Sequence, residues 1–173
     1  MITVKAVLLV PVFLLFFGQP IYSNNNDSFI DIIASVEPNV ITIGKEGVLK
    51  IKVIPNTTVR ISSSPEFVVR LSDSDENVVF TKNFFTASEL EFKTVQEGKN
   101  VFLNLNKEIL IPFKVIAPYP GTHKISGKVI FTAIEKKDNW SVKTFNTFST
   151  YFKSELKKKK KDIRRKKTNR KNK

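Results

Sequence analysis

The chain has 173 residues, with 15 Phe, one His, one Trp, no Cys and a formal net charge of +13. That length suits one folded domain and hardly two. The lack of Cys excludes disulfides, thiol catalysis and thiolate metal ligands, and the single His excludes a metal site built on a pair of histidines. We therefore predict one domain stabilised by an ordinary apolar core, with no metal and no cofactor.

The positive charge is concentrated at the C-terminus. From Lys153 to Lys173, thirteen Lys or Arg stand against Glu155 and Asp162, so this segment carries +11 of the net charge. The preceding body is almost neutral in net charge. A basic nucleic-acid-binding fold carries its charge on the folded surface, so the sequence argues against specific nucleic-acid recognition by the body.

Residues 1–23 are predicted to be a secretory signal peptide. Lys5 is followed by the apolar run "AVLLVPVFLLFF" and then by "GQPIYSNNND". A positive residue, a short apolar core and a small residue before a polar run are typical of such a leader. Cleavage after Ser23 is predicted, which would place the protein in the periplasm or outside the cell. The alternative is a retained membrane anchor, against which the interrupting Gly-Gln-Pro argues.

Alternation of apolar and polar residues dominates residues 24–152, the predicted folded domain. In "VLKIKVI", Leu49, Ile51 and Val53 fall on one face and the lysines on the other, as in a half-buried strand. The stretches "ELEFKTV", "ILIPFKV" and "HKISGKVIFTAI" repeat this pattern. Further short strands are predicted near Ile41–Ile43, Val59–Ile61, Phe67–Leu71, Val78–Thr81 and Val101–Leu105.

Some residues within these stretches are unusual for the interior of a regular strand. Pro112 has no N–H to donate and indicates an edge strand or a bulge, and Gly127 indicates a bend or a bulge. Phe145, Phe148 and Phe152 recur at helical spacing, but they lie among Thr and Ser residues that favour strands, so we predict a strand there. Turn-forming stretches separate the strands by about 8–12 residues, which predicts an all-β sandwich.

Residues with catalytic or metal-binding chemistry are few. A Ser-His-Asp group would have to use His123, which follows a Pro-Gly turn and is predicted to be exposed or at a strand edge. Asp73, Asp75 and Glu76 in "SDSDEN" are of the type that binds calcium, but the run lacks the central Gly and distal Glu of a helix-loop-helix site. A solvated turn is favoured there. We predict no catalytic residues.

Trp140 lies in the polar turn "KKDNW". An exposed Trp offers a large contact area at low entropy cost, so it is a candidate partner contact. The alternative, which we favour, is that its ring folds back over one end of the sandwich.

The order of these patterns resembles the N-terminal periplasmic domain of the thiol:disulfide interchange protein DsbD and its relatives. The likeness spans roughly residues 36–152 and rests on "LKIKV", "NTTVRISSSPEFVVRLSD", "IPFKV", the Pro-Gly turn and "ISGKVIFTA". The opening "SVEPNVITIGKEGVLKIKV" also resembles the first strands of many surface immunoglobulin-like modules. Both likenesses imply an immunoglobulin-like sandwich.

The DsbD resemblance also locates a degenerate site. The family has one cysteine directly after the Ala of the penultimate strand and another commonly six positions on, and the matching residues here are Ile134 and Trp140. Disulfide exchange requires thiolate attack on sulfur, which neither residue provides. The resemblance therefore implies a sandwich without its electron-relay site, and not an enzyme.

Three functions remain open at this point. The first is an exported, non-catalytic binding or accessory module, with an unidentified protein partner contacting the turn from Ile134 to Trp140. The second is a docking component of a thiol:disulfide exchange or cytochrome-assembly pathway that carries no electrons. The third is a protein that binds polyanions or a membrane surface through its tail.

The predicted tail, residues 153–173, contains only Leu156 and Ile163 as apolar residues, so we predict that it is disordered. Such a tail is suited to anionic lipid or anionic polysaccharide, and the alternative is a merely solubilising extension. The predicted polyanion contacts are Lys157, Lys158, Lys159, Lys160, Lys161, Arg164, Arg165, Lys166 and Lys167.

Overall fold

The computed structural model describes residues 28–157, except for residues 66, 73–74 and 139. The predicted signal peptide and nearly all of the predicted tail lie outside these residues. The strands are β1 (Ile30–Glu37), β2 (Val40–Thr42), β3 (Glu46–Pro55), β4 (Val59–Ile61), β5 (Val68–Leu71), β6 (Val78–Phe80), β7 (Phe84–Thr86), β8 (Lys93–Glu97), β9 (Asn100–Asn104), β10 (Ile109–Val115), β11 (Gly121–Glu135) and β12 (Ser141–Glu155). Within the described part, no helix is long and apolar enough to cross a membrane.

The strands form two main sheets and a small hairpin. The first sheet has the order β1-β3-β10-β6, and the second has the order β2-β12-β11-β5-β7 with β4 also paired to β11. Strands β8 and β9 pair separately. Strand β12 pairs with β2 in parallel and with β11 antiparallel. Both main sheets contribute buried side chains to one core, which confirms the predicted all-β sandwich.

Alternation along the strands positions this core. Leu49, Ile51 and Val53 of β3 are buried, and so are the alternate apolar residues of β10 and β11. Each such side chain contributes about 1.5–3 kcal/mol when it leaves water. Because the period of a strand is two, the same pattern places the intervening residues on the outer faces of the sheets.

One predicted strand is wrong. In "ELEFKTV", Leu90 and Phe92 lie in a turn, and β8 begins only at Lys93. The Glu89 carboxylate holds this turn by accepting a hydrogen bond from the Thr86 N–H at 2.9 Å. Both apolar side chains are half-buried and pack against the core from the turn. Leu90 and Phe92, which are two positions apart in the sequence, therefore pack against the core although neither belongs to a strand.

Pro112 lies in β10, which is an inner strand because it pairs with both β3 and β6. Strand β6 pairs only with Phe113–Val115, however, so β10 has no partner on that side at Pro112. The prediction that Pro112 lies in an edge strand is therefore wrong, because β10 is an inner strand. Pro112 itself, however, has no partner strand on the β6 side.

The bend or bulge predicted at Gly127 is also wrong. Strand β11 continues through Gly127, which pairs in unbroken register with Phe148 on one side and Leu71 on the other. A Cβ at this position would lie 2.7 Å from the Arg70 carbonyl oxygen and 2.7 Å from Cζ of Phe148. The glycine is explained by this close approach.

Gly127→Ala is therefore expected to destabilise the protein by about 1–3 kcal/mol, because the added methyl group forces the ring and the backbone apart. Gly121→Ala, in the same strand, is the control, since the nearest atom to its added Cβ is His123 Nε2 at 4.0 Å. Urea unfolding of the two variants measures the difference. Equal stability would contradict the packing explanation.

Strand β12 extends beyond the predicted end of the domain. It includes Phe145, Phe148 and Phe152, which confirms a strand there, and it continues to Glu155. Ser154 within this extension is buried. The boundary predicted at residue 152 therefore falls inside a paired strand, and residues 153–155 belong to the sandwich.

Candidate functional site

The structure places Ile134 and Trp140 in the hairpin between β11 and β12 but on opposite faces of it. Ile134 pairs directly with Ser141, and the Glu135 N–H donates to the Trp140 carbonyl oxygen at 3.0 Å. The two residues are thus offset by one position in the register. Since a one-residue offset turns a side chain to the other face of a sheet, they do not form a shared surface.

Trp140 packs against the start of the described chain. Its ring meets that of Phe29 edge to face, with the ring centroids 5.6 Å apart. The side chain nevertheless remains 44% exposed. Trp140 therefore contacts Phe29 and leaves part of its ring accessible, and the interpretation that its ring covers one end of the sandwich stays a prediction.

His123 is buried, contrary to the prediction of an exposed or edge position. Its side chain is 4% exposed and lies beside the Phe152 ring, with centroids 5.1 Å apart. Its Nδ1 is 2.6 Å from Oδ2 of Asp75, and its Nε2 is 2.8 Å from Oγ of Ser154. The Gly121 N–H donates to the same Ser154 Oγ at 3.1 Å.

The neutral Nδ1–H tautomer of His123 satisfies all of these contacts. The Asp75 carboxylate accepts the Nδ1–H of His123, the free Nε2 accepts the Ser154 hydroxyl, and Ser154 Oγ accepts the Gly121 N–H. Burial raises the pKa of Asp75, but hydrogen bonds from His123 and Asn77 outweigh it and hold that pKa below its ordinary value. Each polar atom of this network is satisfied when Asp75 is ionised.

A carboxylate, an imidazole and a hydroxyl in this order also activate serine nucleophiles. A nucleophile must, however, reach the carbon that it attacks. Ser154 is 6% exposed, lies within β12 and has its oxygen engaged by the Gly121 N–H. As it stands, the network joins the start of β11, the end of β12 and the turn at Asp75.

The sequence did contain a signal for this burial. His123 has the same parity as Ile125, Val129 and Phe131, which were predicted to face the core. The Pro-Gly turn before His123 predicts exposure and its parity predicts burial, and the structure agrees with the parity. Ser154 has the same parity as Phe148 and Phe152, but the predicted tail begins one residue before it and so excludes it from the fold.

The predicted acidic turn is partly described. Oδ1 of Asp75 accepts hydrogen bonds from the N–H and the side-chain amide of Asn77, while Oδ2 faces His123. Glu76 lies in the turn that follows, and Asp73 lies outside the described residues. Among the described residues, no group of three His, Asp or Glu side chains converges in a way that would hold a metal ion.

The outer face of the second sheet is strongly basic. Its strands β5, β11 and β12 alternate buried residues with outward ones, and we call the surface formed by their outward cations the basic face. Those cations are Arg70, Lys124, Lys128, Lys143 and Lys153. Among the described outward positions of these three strands, Glu155 is the one acidic residue.

Aromatic side chains lie between these cations. Lys124 Nζ is 5.9 Å from the ring centroid of Tyr151, and Lys128 Nζ is 5.3 Å from that of Phe145. Tyr151 is 61% exposed and Phe145 is 56% exposed. The basic face thus presents positive charge and accessible aromatic surface side by side.

The outer face of the first sheet has a different charge pattern. Lys50 is paired with Glu37, and Lys114 lies opposite Glu46 in the register of β10 and β3. The body is nearly neutral in net charge, but its cations are in excess on the outer face of the second sheet and are balanced by acidic residues on the outer face of the first. The expectation that the folded surface carries no basic patch is corrected by this arrangement.

Of the predicted tail contacts, only Lys157 lies within the described residues, where it is exposed. The others lie outside them: Lys158, Lys159, Lys160, Lys161, Arg164, Arg165, Lys166 and Lys167.

Comparison with protein-family models and with curated proteins gives no match for this chain. The site is therefore interpreted from its own geometry.

Proposed function

We propose that this protein is an exported, non-catalytic binding module whose ligand is a polyanion. The observation that carries this proposal is the basic face, with five outward cations on three adjacent strands. The apolar leader of the sequence supports export, and the cysteine-free chain supports a role without disulfide exchange.

Charge pairing within the domain supports an external ligand. The Lys and Arg ion pairs of the described residues engage Lys50, Arg60, Lys82 and Lys107, and none engages a cation of the basic face. Like charges on neighbouring strands repel each other. An anionic ligand would relieve that repulsion and would be attracted by the summed field of the face.

The buried network supports the non-catalytic part of the proposal. Ser154 Oγ already accepts the Gly121 N–H and contacts His123 Nε2, and the residue is 6% exposed. For attack on a substrate, the end of β12 would have to separate from β11. The hydrogen bonds of the network therefore stabilise the fold.

A second candidate is docking to a thiol:disulfide exchange protein through the β11–β12 turn. It is favoured by Trp140, which is 44% exposed and rests on Phe29. Because Trp140 is the one Trp of the chain, its fluorescence would report such docking directly. A shift of its emission on addition of a thioredoxin-fold protein, absent with Trp140→Phe, would support this candidate.

Heparin affinity tests the proposed polyanion binding. Replacing Lys124 and Lys143 together by Gln in the full chain is expected to lower the salt concentration of elution. The log–log salt slope of binding should fall by roughly two, because about one counterion is released per contact. The control replaces Lys52 and Lys114, which are equally exposed cations on the first sheet. An equal loss in both variants would show that net charge alone determines retention.

A further inference from the structure

We propose that the polyanion is an anionic lipid bilayer, on which the domain lies with its basic face. This inference rests on the proposed function and names its ligand. The extent of the face, its exposed aromatic side chains and the position at which the basic C-terminal segment follows β12 support a bilayer as the ligand.

The cations of the basic face are spread out and do not converge. Lys143 and Lys153 lie at opposite ends of β12, and at 3.3 Å per residue they are roughly 33 Å apart along the strand. Arg70 lies on β5, on the far side of β11 from β12. A pocket for a small anion requires converging groups, whereas an extended charged surface fits this spacing.

Two concavities of the described domain lie elsewhere. One of about 410 Å³ is bordered by Ser63, Ser88 and Phe92, and another of about 230 Å³ lies beside Arg60 and Phe102. Neither is lined by a cation of the basic face. The second is lined by Arg60 and Lys136 together with Glu97, so it offers less positive charge than the basic face.

The aromatic residues favour lipid over a purely ionic ligand. Tyr151 and Phe145 project among the lysines and keep more than half of their surface exposed. Tyr is favoured at the level of lipid head groups, and a Lys can bury its aliphatic stem there while its ammonium remains at the phosphates, with the Phe145 ring adding apolar surface. Lys124 beside Tyr151 and Lys128 beside Phe145 have this arrangement.

The C-terminal segment continues from the same surface. Strand β12 carries Phe145, Tyr151 and Lys153 on its outward side, and exposed Leu156 and Lys157 follow its end. Beyond them the sequence holds eleven more Lys or Arg in residues 158–173. Each cation near an anionic membrane increases partitioning about fivefold, so the segment and the basic face would act on one bilayer.

The experiment uses the exported form of the full chain with the Lys and Arg of residues 158–173 replaced by Gln, so that the basic face is measured without the segment. In this background, Lys124→Gln/Lys143→Gln is compared with Lys52→Gln/Lys114→Gln. Binding is measured to vesicles of phosphatidylcholine with 30% phosphatidylglycerol, to pure phosphatidylcholine vesicles and to heparin. Melting temperatures confirm that each variant is folded.

A second measurement reports how deeply the basic face inserts into the bilayer. Tyr151→Trp is introduced in a Trp140→Phe background, and its fluorescence is measured on vesicles containing brominated lipid. Trp140 in the parent chain is the comparison, because it lies in the turn before β12 and not on the basic face.

We expect the first pair of substitutions to weaken binding to anionic vesicles at least about tenfold, and the control pair to change it less than about twofold. The Trp at position 151 should be quenched by brominated lipid. Loss of heparin binding alone, with vesicle binding unchanged and no quenching, would overturn the bilayer but retain polyanion binding. Equal effects of the two pairs on every ligand would overturn the proposed function as well.

Discussion

Replacing His123 by Ala is expected to lower the free energy of unfolding by about 3 kcal/mol. The substitution leaves a cavity beside Phe152 and removes the partner of both Asp75 and Ser154. Removal of a large buried side chain and loss of buried hydrogen bonds each cost on the order of 1–3 kcal/mol. Urea unfolding followed by circular dichroism measures the change.

Two milder variants separate the contributions. Ser154→Ala should cost about 1 kcal/mol, because it leaves the Gly121 N–H without its acceptor. Asp75→Asn keeps an acceptor for His123 but removes the charge. Similar stability of all three variants and the parent would contradict the role of the network.

The depressed pKa of Asp75 gives this network a pH dependence. A carboxyl whose pKa is lower in the folded state stabilises the fold fully above its unfolded pKa, and this stabilisation is lost as the pH falls through the folded value. Melting temperature should therefore decline below about pH 4. In Asp75→Asn this part of the decline should be absent.

Catalysis by the same residues would have a separate signature. If Ser154 were a nucleophile, a fluorophosphonate would label the folded protein and Ser154→Ala would abolish the labelling. We expect no labelling, because the hydroxyl is buried and hydrogen-bonded. Specific labelling of Ser154 would overturn the non-catalytic proposal.

Truncation after Lys157 is expected to leave the melting temperature within a degree or two and to reduce binding to anionic vesicles at least about a hundredfold. The change removes eleven Lys or Arg and Asp162, and it leaves every described strand intact. Vesicle sedimentation at several salt concentrations measures the loss. The remaining binding should be weaker but still salt-dependent, because the basic face is retained.

Truncation after Phe152 is the informative comparison. It removes Ser154 and the residues that pair with Val40–Thr42 of β2, together with the hydrogen bond to His123. We expect a fall in melting temperature of roughly 10 °C, corresponding to about 2–3 kcal/mol for a domain of this size. If both truncations had the same melting temperature, the last residues of β12 would contribute nothing to the fold.

The all-β sandwich could be predicted from the sequence because its inner strands alternate regularly. The strand around Leu49, Ile51 and Val53 and the strand around Ile109 and Val115 were found in this way. The turn at Leu90 and Phe92 was not, because two apolar residues spaced by two fit a strand and also a turn that folds onto the core. Only tertiary contacts distinguish the two.

The candidate site was harder to predict for a different reason. Net charge is a sum over the chain, whereas binding depends on where the charges lie, and the pairing of β5, β11 and β12 determines which lysines become neighbours. Gly127 and Ser154 likewise depend on partners far away in sequence. Their roles depend on which residues the neighbouring strands place beside them, and the alternation of apolar and polar residues along one strand does not determine this register.

The position of β12 has a consequence for how the domain is made. Strand β11 is the centre of its sheet and pairs along its length with β12, while Ser154 at the end of β12 pairs with Ile41. Strands β11 and β12 form a hairpin, but the pairing of β12 with β2 joins residues far apart in sequence, and contacts distant in sequence slow folding. The second sheet can therefore close only after nearly the whole domain has left the ribosome. Until then, the pairing of Ser154 with Ile41 at the edge of this sheet cannot form.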